Sequence, residues 1–245
     1  MTAESISDAY RRLASAQKGH ARGAPGYSVY INRRIGRFLA ACAHRWGLTP
    51  NHATIISAAH TFAALVILLL VTPSAWGGIV VAVLLVLGYA WDSADGQLAR
   101  LRGGGSLSGE WLDHFIDAFK LASIHLVVLV ALWWHTPFRD TAWLVVPLVF
   151  SVVQVVTFFG MLLNDLLKGK VGVRSTHSRG GGTLRRSMLL VPTDYGLLCL
   201  IFVLWGWLSV FLVMYTALCL LNGGFLLLAA VKWFREIRAL ESSDA

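Results

Sequence analysis

The chain has 245 residues, of which 56% are hydrophobic and only 14% charged, and its formal net charge is +8. Soluble domains are about 45–50% apolar and about 25% charged, so this composition excludes an ordinary soluble domain. In an apolar chain the basic excess fits cytoplasmic loops and anionic lipid headgroups, and no nucleic-acid partner is expected.

Apolar runs of about 20 residues, enough to cross a hydrocarbon core about 30 Å thick, recur along the sequence. They predict an all-α polytopic membrane protein with six transmembrane helices. Residues 1–25 are polar, lack sustained apolar periodicity, and are expected to form a flexible tail. They hold no apolar h-region or cleavage site, so no secretory signal is expected. Further on, Ile31, Ile35, Phe38, Leu39, Cys42 and Trp46 recur at helical spacing, with Arg33, Arg34, Arg37 and Arg45 elsewhere on the wheel. This predicts an interfacial amphipathic helix within 26–47. Thr49 and Pro50 read as N-cap and first helical position of span one, which runs to about Val71. Span two runs from about Trp76 to about Arg100, where Gly103, Gly104 and Gly105 break it. Spans three and four cover about 109–134 and 142–164. Met188–Val231 is 44 nearly all-apolar residues, too long for one span, and predicts two, turning near 206–209. The six-span domain thus occupies 48–235, with a tail at 236–245. Cys42, Cys199 and Cys219 show no CxxC spacing and read as apolar fillers.

Eight Lys/Arg precede span one, Arg100 and Arg102 follow span two, and six follow span four. Lys232, Arg235 and Arg238 lie at the C-terminal end, while the opposite loops hold only Arg139. The positive-inside rule then puts both termini of a multi-pass cell-membrane protein in the cytoplasm.

Four of the 13 acidic residues, Asp92, Asp95, Asp113 and Asp117, crowd around the junction of spans two and three. Asp92 and Asp95 share a helix face with Gly96 and Ala99, which have almost no side chain. Gly109, Asp113 and Asp117 form one stripe on span three, and the glycine turn folds the two faces together. Such carboxylates cannot all stay ionised without compensation: some are protonated, or cations neutralise them. An all-carboxylate set suits Mg²⁺, Mn²⁺ or Ca²⁺ rather than zinc, and two ions about 3.5–4 Å apart is the arrangement used on phosphate esters. A structural ion-pair cluster would instead need matching cations, and these helices offer only Arg100, Arg102 and Lys120. Intramembrane ionisable groups are functional candidates by default.

The pattern Asp92-x2-Asp95-Gly96-x2-Ala99-Arg100-x8-Gly109-x3-Asp113-x3-Asp117 resembles, without a mismatch, the signature of the CDP-alcohol phosphotransferases. Six spans, a juxtamembrane amphipathic helix and Thr49-Pro50-Asn51 at the start of span one are similar to that family as well. The resemblance implies displacement of CMP from a CDP-linked donor by an acceptor hydroxyl. It implies two Mg²⁺ ions, with Mn²⁺ as the alternative, bridged by Asp92 and Asp113. Asp95 would bind the first ion and Asp117 the second, with Asp117 also the base. It further implies that Gly96, Ala99, Arg100, Ser106 and Gly109, with Thr49, Pro50, Asn51 and His52, hold the CDP part. Family members are often homodimers, so a homodimer is a further partner to test.

The expected donor is CDP-diacylglycerol and the acceptor a small polar alcohol, with membrane lipids around both. The alternatives are transfer of a CDP-activated headgroup to a lipid, and a divalent-cation transporter. Arg185 and Arg186 are candidates for binding a phosphorylated acceptor. Family members that use inositol phosphate carry a basic "KARAE"-like segment at the end of span four; here that place reads "MLLNDLLKGK". His60, His114 and His125 read as packing residues. Glu110 reads as a helix-start residue, and Asn164, Asp165 and Asp194 as caps rather than acceptor ligands.

Overall fold

The computed structural model describes residues 5–15, 25–173 and 183–241, and among these every regular element is helical. Two short helices come first, α1 (Ile6–Ser15) and α2 (Arg33–Arg45), the latter preceded by a π-helical turn at Ser28–Asn32. The long helices α3 (Pro50–Leu70), α4 (Ala75–Leu101), α5 (Leu107–His135) and α6 (Val145–Lys170) follow. After them come α7 (Leu184–Leu189), α8 (Tyr195–Ile201) and α9 (Leu208–Glu241). Among the described residues, five segments are long and apolar enough to cross a membrane: Pro50–Leu70, Ala75–Leu101, Leu107–His135, Ala142–Lys170 and Leu208–Leu240. The protein is a polytopic all-α membrane protein.

Local chemistry sets the helix ends. The Thr49 side chain accepts from His52 N, His52 Nδ1 accepts from Thr49 N, and Pro50 opens α3, so both reciprocal capping bonds are made. Ser74 and Ser106 cap α4 and α5 through the amides of Gly77 and Gly109. Between α4 and α5 the backbone reverses at Gly103 (φ 90°) and Gly104 (φ 140°), a conformation that a side chain would oppose.

Three expectations are corrected. The predicted fifth span starts later than expected: α7 ends at Leu189, Val191–Thr193 is a 3₁₀ turn containing Pro192, and the shorter apolar helix covers Tyr195–Gly206. Pro192 has no amide to donate, and Asp194 caps the new start by accepting from Gly196 N. The segment ends in a 3₁₀ stretch, Phe202–Gly206, whose larger rise lets it reach roughly 20 Å. Second, part of the tail expected to lack structure forms α1. Ala9 and Leu13 are buried, Leu13 packs with Ala40, Ala43, Ala94 and Leu98, and the Arg37 guanidinium lies 5.2 Å from the Tyr10 ring centre. Third, α9 runs to Glu241, beyond the boundary expected at 235.

Of the apolar set predicted around α2, Leu39 is half-buried and Cys42 is buried. Ile31, Ile35, Phe38 and Trp46 face outward, while Gly36, Ala40 and Ala43 are buried. A Cβ at Gly36 would sit 2.8 Å from Ser93 Oγ, so α2 and α4 touch almost backbone to backbone. Asn32 Nδ2 donates to Tyr89 O (3.1 Å) and Gln97 Nε2 to Arg33 O (3.1 Å). α2 is therefore fastened to the stretch of α4 that carries Asp92 and Asp95.

The main core joins α3, α4, α5, α6, α8 and α9 around Leu85, Ile124, Phe150, Phe202, Trp205, Phe211 and Tyr215. It lies toward the start of α4 and the end of α5, leaving the acidic residues in the other half of the bundle. His125 hydrogen-bonds Tyr215 Oη (2.5 Å) in this core, and His60 Nδ1 lies 2.8 Å from Ile56 O, both as packing residues. Gly88, one turn before Asp92, marks the closest approach of α3 to α4: a Cβ there would meet Thr61 Oγ1 at 2.6 Å and Ser57 O at 3.1 Å. Gly88→Val is expected to lower stability by about 1–3 kcal/mol through overpacking. A thermal melt in detergent checks this, and an unchanged melting temperature would refute the contact.

Candidate active site

α4 and α5 both pack against α3, and beside it their acidic faces meet. Oxygen atoms of Asp92, Asp113 and Asp117 lie within 4.8 Å of one another. Asp113 Oδ1 is buried and has no hydrogen-bond partner among the described residues. An orphaned carboxylate oxygen beside two more carboxylates fits a hard divalent cation, which wants oxygen ligands. Asp95 stands slightly apart. Its Oδ2 accepts from Thr54 Oγ1 (2.8 Å) and its Oδ1 from Gly96 N (2.5 Å), so α3 helps to aim it.

Sequence reasoning counted Lys120 only as a cation for a structural cluster, yet it sits inside the site. Its Nζ donates to Asp92 Oδ1 (2.6 Å), Asp117 Oδ1 (3.0 Å) and Ser57 Oγ (3.0 Å). The legible signal was its position three residues after Asp117, on the same helix face. Ser57 and Thr54 carried no such signal, because their roles depend on how α3 packs.

A cavity of about 690 Å³ opens beside the carboxylates. That volume falls within the usual range for small-molecule sites, about 300–1,000 Å³. Asp95 and Asp113 line it, as do Thr49, Pro50, Asn51, Gly96, Ala99, Ser106 and Gly109, all singled out from the sequence. Thr54, Arg102 and Glu110 are also in the wall. Glu110 was expected only to start a helix; it also lies 4.0 Å from His114. Two expected residues are not in the wall. His52 is used in the cap of α3. Arg100 stays on the helix, its Nη1 3.7 Å from where a Cβ of Gly96 would be.

The acceptor candidates are less gathered. Arg185 is exposed on α7 and is not among the cavity residues, and the side chain of Arg186 lies outside the described residues. At the end of α6, Lys168 Nζ pairs with Glu236 Oε2 (2.7 Å). Asp194 is a cap, as expected, and more: it also accepts from Ser28 N (2.7 Å), tying the π-helical turn to α8. Burial pushes its carboxyl above the usual range, against the pull of the Gly196 and Ser28 amides. Asp194→Ala is expected to cost about 2 kcal/mol, since it removes a cap and leaves a second buried amide unpaired. A loss below about 0.5 kcal/mol in a reversible melt would deny it that role.

A search of curated protein sequences gives no match to the chain. Among solved structures, the phosphatidylinositol phosphate synthase PgsA1 of Mycobacterium tuberculosis with CDP-DAG bound is similar, with 21% identity and a TM-score of 0.54 over 84% of this chain and 93% of that one. The same enzyme in complex with manganese and citrate gives 21% identity and a TM-score of 0.50 over 84% and 88%. At such identity the likeness shows a shared fold. The profile of CDP-alcohol phosphatidyltransferases matches residues 48–233, which contain the acidic cluster and the whole cavity wall. The chain is therefore a transferase that belongs to the CDP-alcohol phosphatidyltransferase family.

Proposed function

We propose that the chain transfers a phosphatidyl group from CDP-diacylglycerol to the hydroxyl of a small polar alcohol, releasing CMP. The reaction would use two Mg²⁺ ions, or Mn²⁺ in their place. The observation that carries this reading is adjacency: Asp95 and Asp113 belong at once to the acidic site and to the wall of the cavity. PgsA1, whose fold is shared, is described with CDP-DAG and with manganese.

Asp92, Asp113 and Asp117 would hold the metal, with Asp95 completing the set. Bound there, divalent metal supplies Lewis-acid stabilisation of the pyrophosphate and of the departing CMP. The chain's own residues do the rest. Asn51, Thr49 and Ser106 offer hydrogen bonds to the nucleotide, and Arg102 can pair with a phosphate. Gly96, Ala99 and Gly109 keep space for it. The acceptor oxygen attacks the phosphorus that carries diacylglycerol. The bond from that phosphorus to the bridging oxygen breaks, CMP leaves with the electron pair, and Asp117 takes the acceptor proton.

The basic residues before α3 and after α4 and α6 support a cell-membrane protein with both termini in the cytoplasm, so the site would open to soluble acceptors. Purified protein with CDP-diacylglycerol, Mg²⁺ and a panel of alcohols (glycerol phosphate, inositol phosphate, inositol, serine) tests the reading. CMP release with one of them, matched by a new phosphatidyl lipid, is expected. CMP formed only from a soluble CDP-alcohol and a lipid hydroxyl would reverse the donor and acceptor roles.

A further inference from the structure

Lys120 is a lysine buried beside Asp92, Asp113 and Asp117, and its geometry is fully specified. The side chain is 5% exposed. Three hydrogen-bond donors of an ammonium are matched by three acceptors, Asp92 Oδ1, Asp117 Oδ1 and Ser57 Oγ, at 2.6, 3.0 and 3.0 Å. Ser57 gives its own proton to Gly88 O (2.7 Å), so its oxygen faces the ammonium as an acceptor. The ammonium thereby ties α5 to α3 and α4 at the level of the acidic cluster. It engages one oxygen each of Asp92 and Asp117 and makes no bond to Asp113, whose Oδ1 is the orphan.

From this arrangement we infer that Lys120 is a built-in counter-cation of the site. It orients Asp92 and Asp117 and sets how strongly the cluster attracts divalent metal. The inference rests on the proposed reading of the cluster as a metal site. In formal charge, four carboxylates balance two divalent ions, and the ammonium adds one positive charge. That surplus opposes metal loading, holds the carboxylates together before loading, and favours the anionic pyrophosphate afterwards. Lys120 is thus a positioning residue acting through Asp92 and Asp117.

The test measures Mn²⁺ binding to the full chain in detergent micelles, by the paramagnetic resonance signal of free Mn²⁺, alongside melting curves with and without Mn²⁺. Lys120→Met is expected to bind Mn²⁺ about tenfold more tightly than wild type. Its metal-free melting temperature should fall, and Mn²⁺ should close most of the gap. Lys120→Arg, which keeps the charge, should bind Mn²⁺ within about threefold of wild type. A lysine that is only a structural tether predicts otherwise: Lys120→Met would melt lower by the same amount at every Mn²⁺ concentration, with affinity unchanged or weaker. That result overturns the inference. If Lys120→Met fails to fold without metal, Lys120→Gln is read in the same way. Failure of both variants to fold at any Mn²⁺ concentration also counts against it, because metal could then not stand in for the ammonium. Asp113→Asn is the control and should lose Mn²⁺ binding. A wild type that binds no Mn²⁺ brings down the metal reading itself, whereas binding unchanged by Lys120→Met brings down this inference alone.

Discussion

Asp117→Asn is expected to reduce CMP release by about a thousandfold or more, with the protein still folded in detergent. The size follows from two losses at one position. General-base catalysis by a placed carboxylate contributes about 10²–10⁴-fold, and the proposed metal ligand is lost with it. Asparagine keeps the shape of the side chain and can still accept a hydrogen bond from Lys120, now 3.0 Å from Asp117 Oδ1. Collapse of the fold is therefore not the expected cause. Size-exclusion and melting controls separate the two, and near-normal turnover by the variant would overturn the role given to Asp117.

Gly96→Leu carries the second large effect, and it isolates the cavity from the metal site. A Cβ at Gly96 would meet no atom within 4 Å except Arg100 Nη1, at 3.7 Å. A side chain there has room, and the room is the 690 Å³ cavity that Gly96 lines. Leucine should fold with little change in melting temperature, because a surface substitution without clash costs at most about 0.5 kcal/mol. It would, however, occupy space assigned to the CDP moiety. The expected outcome is a fall in kcat/KM for the CDP donor of about a hundredfold or more, about 2.7 kcal/mol of lost transition-state stabilisation. Mn²⁺ binding should be unaffected. Wild-type kinetics from a folded Gly96→Leu protein would show that the nucleotide does not use this cavity.

Much of this site was written in local patterns. The caps at Thr49 and Ser106, the glycine reversal and the four-residue spacing of Asp113 and Asp117 act within a turn or two of helix, so spacing alone reveals them. What depended on packing was missed. α1 is only ten residues long, with Ile6, Ala9, Tyr10 and Leu13 as its apolar stripe, and Leu13 is buried only against Ala40, Ala43, Ala94 and Leu98 of α2 and α4. The start of the fifth span was placed too early because hydropathy does not register the break that Pro192 and Asp194 impose between α7 and α8. Arg102 rather than Arg100 reaches the cavity wall because α4 ends at Leu101. The backbone of Arg102 (φ −95°, ψ 11°) then carries it off the helical path. Lys120 was visible as a charge, but its pairing with two carboxylates on different helices depended on how α3 packs against both α4 and α5.

The central claim is that the acidic cluster and the cavity beside it form one metal-dependent site for a CDP-linked lipid. The most direct measurement is CMP formed from CDP-diacylglycerol by the purified chain, with a mixture of polar alcohols, before and after chelation. The account predicts CMP in step with a new phosphatidyl lipid, loss of both on removing divalent metal, recovery with Mg²⁺ or Mn²⁺, and neither product from Asp117→Asn. Absence of CMP with every alcohol, together with metal uptake when the protein is placed in vesicles, would contradict it.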